Sequence, residues 1–380
     1  MRKKKNIYLL CAIAFLQGMV FYSAVATLYR QQAGLSVFEI TAVEGASFAL
    51  SMAMEIPWGW AADRIGYRRT MILCNLLFLG TKIIFWQAES FGAFLLERLL
   101  LAVTVSGLSG VDASLLYLSA PEKDAQRNEG WWRSAGEAGL LLSGLLYTVF
   151  LSGRYRDAAL WTVFTYGLAA VLTFFLQEVK PEEKQAHQRL LPLARAHFRI
   201  PGMLPLVLCA AVFGEVVHCV TVYFGQLQYV RCGMGEQAIG AAFLLVSAAG
   251  LCGPLSHRLS KRFGDRRTGR GLLLGAALCM GSLVFLRIGI LSVALIALLS
   301  LLSALFSPLS GAMENRLVAT PDRATALSLN AMLADSLAVV LDLGLGRAAD
   351  ASLPLALGLC GAGCLAALLL FGTAARRSSR

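Results

Sequence analysis

Twelve apolar runs fill most of this sequence, at roughly 7–29, 38–60, 70–87, 91–119, 134–152, 159–177, 204–230, 236–258, 271–286, 289–313, 325–345 and 352–372. A helix needs about 20 apolar residues to cross the roughly 30 Å of hydrocarbon in a bilayer, and each run is near that length. Hydrocarbon offers no hydrogen bonds, so a crossing segment must satisfy its own backbone, which a helix does. The chain therefore reads as an all-α membrane protein with twelve transmembrane helices, spans 1–12 in chain order. Its composition agrees: 57% of residues are hydrophobic and 15% charged, against about 25% charged in a soluble domain.

The net charge of +11 does not point to nucleic acid, because the basic residues sit in short loops between spans. That is the pattern of membrane topology. With the N-terminus inside, the inside segments hold 26 of the 34 Lys and Arg and the outside segments six, while Lys82 and Arg98 fall within spans. Both termini are accordingly expected on the cytoplasmic side of the cell membrane, with the bilayer as the chain's main surroundings. Basic residues from Arg2 to Lys5, followed by Ala24-Val25-Ala26, resemble a cleavable signal. The run to Leu28 is nevertheless long enough to span, and its loss would leave an odd number, so it is read as span 1. Nine scattered cysteines form no C-x-x-C pair; they read as small buried hydrophobes without disulfide or metal roles.

Spans 2 and 3 are joined by Gly59-Trp60-Ala61-Ala62-Asp63-Arg64-Ile65-Gly66-Tyr67-Arg68-Arg69. Two glycines seven apart allow a sharp reversal, and one acid with three arginines belongs at a membrane face rather than in hydrocarbon. Written G-x-x-x-D-R-x-G-x-R-R, the stretch resembles the signature of the major facilitator superfamily of secondary transporters. The resemblance is carried by Gly59, Asp63, Arg64, Gly66, Arg68 and Arg69. It implies two six-helix lobes with pseudo-twofold symmetry that rock about a midplane site by alternating access. It also implies a gating role for Asp63, which would hold the start of span 11 when the cytoplasmic side is closed. Span 11 begins after Pro321-Asp322-Arg323, so its positive dipole end is available to an acid there.

The longest polar stretch, about Gln177 to Gly202, divides six spans from six. The expected lobes are 1–178 and 204–380, joined by a cytoplasmic linker at 179–203. An internal repeat supports the division: Lys261-Arg262-Phe263-Gly264-Asp265-Arg266-Arg267 aligns with residues 63–69 at an offset of 198, matching Arg, Gly, Arg and Arg. Lys261 replaces the acid and His257 the first glycine, so only the first copy is expected to gate.

Ionisable groups inside spans are costly and default to functional candidates. Glu44 and Glu55, eleven apart in span 2, share a face; Glu44 is a cavity candidate, and Glu55 sits where it can brace the gate by pairing with loop arginines. Lys82 lies near the outer end of span 3, where a lysine can snorkel to water. Arg98 resembles the span-4 arginine that facilitator antiporters associate with proton coupling, although Leu101 and Ala102 stand where the family places Gln-Gly; pairing with Glu97 is the alternative. Asp112 is placed as a second gate brace. Span 5 offers Gly136, Gly139 and Gly144 for close packing but lacks the proline of the antiporter signature. In span 7, Glu215 and His218 share a face that Gln226 and Tyr229 repeat; both are candidates for proton binding or a satisfied interhelical pair. Ser328, Asp335 and Asp342 recur every seven residues in span 11, with Asp335 nearest mid-span. Gln17 and Tyr22 are cavity candidates in span 1.

No phosphate-binding loop, nucleophile–His–acid set or metal cluster appears in the sequence. An enzyme is not expected, nor a cofactor. The expected function is secondary active transport by a monomer, driven by protons, with export of a small lipophilic or cationic compound ahead of uptake of a sugar, amino acid or other metabolite. The candidates for the cavity are sparse and net acidic, which is the reason for that order. A non-transporting receptor or scaffold on the same fold is the alternative of a different class. Asp63→Asn is expected to abolish flux in reconstituted vesicles while leaving expression intact; unaltered flux would remove Asp63 from the gate.

Overall fold

The computed structural model describes residues 4–109, 111–119, 125–179, 197–317 and 323–377. These residues are helical with short turns and no strand. In chain order, α1 (Lys4–Gly18) and α2 (Ala26–Gln32) make span 1, followed by α3 (Val37–Ile65), α4 (Tyr67–Gln87), α5 (Phe91–Leu108), α6 (Val111–Leu118), α7 (Ala125–Leu146) and α8 (Tyr155–Thr173). Then come α9 (Met203–His218) and α10 (Gly225–Arg231), which make span 7, and α11 (Glu236–Gly250), α12 (Ser256–Phe263), α13 (Asp265–Phe285), α14 (Gly289–Leu317), α15 (Arg323–Ala351) and α16 (Leu353–Arg377).

The helices form two compact units. The first holds residues 1–35, 46–185 and 236–241, the second residues 36–45, 186–235 and 242–380. Helices α3 and α11 thus each contribute to both.

In the first unit, α1 stops at Gly18 and the chain resumes helix only at Ser23–Val25 and α2. A broken helix frees backbone groups that hydrocarbon cannot satisfy. Helix α8 supplies the partners. Thr162 Oγ1 accepts from the Phe21 N–H at 3.0 Å, Thr165 Oγ1 donates to the Met19 carbonyl at 3.2 Å, and the Tyr166 hydroxyl donates to the Gln17 carbonyl at 2.7 Å. Residues 162, 165 and 166 share one helix face, so a single helix serves the whole break.

This accounts for a difference from the twelve-span expectation. Eleven helical segments among the described residues are long and apolar enough to cross a membrane, and α8 is not one of them. Its 19 residues open Tyr155-Arg156-Asp157 and carry the polar groups spent on the break. It still packs along α1 and α4 as a member of the bundle.

The second unit repeats the interruption in a milder form. Helix α9 passes into a π-helical turn, Cys219–Phe224, before α10. At the 198-residue offset of the sequence repeat, the break at 18–22 corresponds to 216–220. The interhelical turns repeat too: Gly66 (φ 92, ψ 149) joins α3 to α4, and Gly264 (φ 80, ψ 150) joins α12 to α13. A positive φ favours glycine, which is why both copies keep it.

The small residues of span 5 pack on α1. A methyl group on Gly139 would overlap the Phe15 carbonyl oxygen, and one on Gly18 would overlap the carbonyl oxygen of Gly136. Such backbone approach is how small residues tighten membrane bundles. Gly139→Leu should therefore destabilise the fold by about 1–3 kcal/mol or more, since the clash is with backbone. Gly130→Ala, where a methyl group meets open space, should leave the melting temperature unchanged or slightly raised. Thermal melts of the two purified variants in detergent check the contrast.

Candidate functional site

In the second unit, α9 packs against α15 and brings three polar side chains together. Asp342 of α15 and Cys219, the first residue of the π turn, are fully buried, and Glu215 of α9 is half-buried. The Cys219 sulfur lies 3.6 Å from Glu215 Oε1 and 3.3 Å from Asp342 Oδ1, so the thiol stands between the carboxyl groups and can donate to either. One ligand atom from each of the three residues falls within 4.8 Å of the others, close enough to share one small cation. Among the described residues, Asp342 Oδ2 is buried and accepts no hydrogen bond. Two ionised carboxylates at such a separation repel by about 3–4 kcal/mol even at an effective dielectric near 20. Glu44, in the segment of α3 that belongs to this unit, lies within electrostatic reach of Asp342 and adds a third acid.

This cluster differs from the one the sequence suggested. Glu215 is in it, but His218 turns its ring edge-on to Tyr223, with centroids 5.7 Å apart. Gln226 and Tyr229 lie beyond the π turn that starts at Cys219, and a wider turn carries them off the face that a 3.6-residue period predicts. Gln226 is buried, and its amide donates to the Val222 carbonyl, one turn back inside the π segment, at 3.0 Å. Asp335 sits two turns before Asp342 and is half-buried. Asp342 was visible in sequence as part of the 328–335–342 stripe; what was not visible was the helix it faces. Cys219 is buried, as a small hydrophobe should be, but its thiol also stands between two acids, which its sequence context does not reveal.

The first unit holds a second polar cluster, around the break in span 1. Lys82 of α4 does not snorkel to water as expected; it is 5% exposed. Its Nζ donates to the Tyr22 hydroxyl at 3.2 Å and lies 5.0–5.9 Å from the ring centroids of Tyr166, Phe78 and Tyr22. The break turns Tyr22 inward, where it also stacks on Phe85 at 4.0 Å. Aromatic faces favour a desolvated ammonium, so the rings supply part of what water would have given. Gln17 turns its amide to Asn75 of α4 at 2.8 Å. At the 198-residue offset Gln17 corresponds to Glu215, so the same position is neutral in one unit and acidic in the other. Arg98 of α5 is half-buried, and its carbonyl accepts from the Ser47 hydroxyl at 3.4 Å. Its neighbour Glu97 is 1% exposed, with Oε2 lacking a hydrogen-bond partner among the described residues.

At the span 2–3 junction, Arg64 closes the last turn of α3 and is exposed, as is Arg69. Arg68 ties the turn to the end of span 6: its backbone N–H faces both Glu178 carboxylate oxygens at 3.3 Å, and its guanidinium donates to the Phe174 carbonyl at 2.8 Å. A side chain at Gly66 would press on that same carboxylate. Asp112 opens α6 and is half-buried. Glu55, Gly59 and Asp63 lie on α3, but their side chains fall outside the described residues, as do residues 180–196 of the linker and 318–322 before span 11.

A search of curated proteins found no match. Solved structures match over nearly the whole chain. Two structures of the nucleoside transporter NupG, one of them a substituted form, give TM-scores of 0.80 and 0.82 at 15% and 16% identity, covering 98% and 97% of this chain and 99% of NupG. The peptide transporter POT gives 0.77 at 14% identity over 98% of this chain and 94% of its own. A bacterial homologue of the human lysosomal transporter Spinster, inward-facing and occupied, gives 0.73 at 16% identity over 99% of this chain and 97% of its own. At such identities the likeness is one of fold alone. The sequence itself matches the model of the Major Facilitator Superfamily over residues 7–341, and with the interrupted spans and the repeated turn at Gly66 and Gly264 this places the chain in that superfamily of membrane transporters.

Proposed function

We propose that this facilitator-type transporter is driven by protons and that Glu215 and Asp342 carry them. The observation behind the reading is the buried Glu215–Cys219–Asp342 cluster at the start of a π turn. Two acids this close in a medium of low dielectric repel when both are ionised, and one shared proton removes the repulsion. Cys219 can donate to whichever carboxylate is charged. A π turn in the first helix of the unit gives the cluster a segment whose backbone pairing can shift as the proton comes and goes. Alternating access then links protonation to the exposure of a midplane site. The orientation that fits the excess of Lys and Arg on one side has both termini in the cytoplasm of a bacterial cell, with lobes near 1–178 and 204–380, the chain acting as a monomer and Asp63 closing the cytoplasmic gate.

For cargo, export of a small lipophilic or cationic compound is supported by the acids of the second unit, Glu44, Glu215, Asp335 and Asp342. Uptake of a polar metabolite is the second reading. It is favoured by buried Lys82 and Arg30 in the first unit, which confine the acidic character to the other unit. Solved relatives that carry nucleosides or peptides have the same fold.

A thermal-shift screen of the purified chain against a compound library at two pH values would find a ligand and its proton linkage together. With that ligand in proteoliposomes loaded with a pH-sensitive dye, wild type should move protons with cargo, whereas Glu215→Gln and Asp342→Asn should abolish coupled flux and the pH dependence of the thermal shift. Retention of both by either variant would overturn the proton-carrier assignment. Uncoupler-sensitive dye export in cells would support the first cargo reading, and growth rescue on a nutrient the second.

A further inference from the structure

The turn between α12 and α13 carries a feature that the proposed proton site does not involve. Six cations, Arg258, Lys261, Arg262, Arg266, Arg267 and Arg270, fall within 13 residues. All six are exposed, and none makes an ion pair among the described residues. The one acid of the segment, Asp265, is taken by Arg316 at 2.7 Å. The turn marks the junction of two apolar spans, Glu236–Phe263 and Asp265–Phe285, so the cations stand where hydrocarbon meets water.

A basic loop by itself is a solvated surface, but here it borders a cleft. Leu259 and Phe263, one turn apart on α12, and Thr268, Gly271 and Leu272 on α13 line an open cleft of about 250 Å³, with Arg267 at the edge. Phe263 is 50% exposed, and the Arg262 guanidinium lies 5.3 Å from its ring centroid. Nothing stands within 4 Å of where a side chain on Gly271 would begin, so the cleft floor is open. Apolar volume beside uncompensated arginines suits a molecule with a negative head and a hydrocarbon tail. Basic pockets between membrane helices take anionic lipid headgroups, and each basic residue near the surface strengthens binding about fivefold.

We propose that the α12–α13 turn is a binding site for an anionic phospholipid, its phosphate held by Arg262, Arg266 and Arg267 and its upper acyl chain laid in the Leu259–Phe263–Leu272 cleft. Native mass spectrometry of the full-length chain in detergent, titrated with phosphatidylglycerol, phosphatidylcholine or inorganic phosphate, tests it. Phosphatidylglycerol should form a saturable one-to-one adduct that phosphatidylcholine does not. At about fivefold per removed charge, Arg262→Gln/Arg266→Gln/Arg267→Gln should weaken the adduct by about 100-fold. Gly271→Leu, which fills the cleft and leaves every charge in place, should abolish saturation as well. Equal binding of phosphatidylcholine, full displacement by inorganic phosphate, or an unchanged adduct in the Gly271→Leu variant would each overturn the site. Should the triple variant fail to fold, the Gly271→Leu result decides alone.

Discussion

A peptide group without water must find its partner inside the protein, and the break in span 1 makes that demand at the centre of the first unit. Gln17, Met19 and Phe21 each expose a backbone group there, and Thr162, Thr165 and Tyr166 answer them from one face of α8. Without those three side chains, α1 would have to continue as a helix. Tyr22 would not turn inward, and Lys82 would lose its hydrogen bond to the Tyr22 hydroxyl. The aromatic cage, the buried lysine and the reduced apolarity of α8 are thus consequences of one backbone requirement.

The second unit meets the corresponding requirement differently. A π turn keeps the backbone paired while shifting the residues beyond it, and Gln226 satisfies the Val222 carbonyl within it. No helix has to be spent on bridging a gap, so α9 is free to set Glu215 and Cys219 against Asp342 of α15. Gln17 and Glu215 occupy corresponding positions, yet Gln17 hydrogen-bonds an asparagine and Glu215 joins an acid. The two halves share a scaffold and differ in the chemistry carried at the interruption, a division of labour that an internal repeat permits once its copies diverge.

Much of this was legible beforehand. Apolar runs named eleven of the crossing segments outright, and the turn at Gly66 with its echo at Gly264 announced the repeat. Glu215 stood out because an acid in hydrocarbon is rare. The misreadings share a cause. Lys82 looked able to reach water because sequence places it near a span end, but only neighbouring helices decide whether rings close over it. Gln226 and Tyr229 looked aligned with Glu215 because helical spacing was carried through a π turn. Asp342 lay on a visible stripe whose facing helix could not be known.

Local forces therefore settled the class of this protein from sequence alone: the length and apolarity of each run, the placement of Lys and Arg, and the glycines that permit reversed turns. Superfamily membership follows from the same stretches. What only the tertiary structure decided is which polar groups meet. Thr162 beside Phe21, Tyr22 beside Lys82, and Asp342 beside Cys219 are separated by 141, 60 and 123 positions in the chain. Such contacts depend on how helices rotate and pack, and no periodicity within one helix encodes the angle of the next.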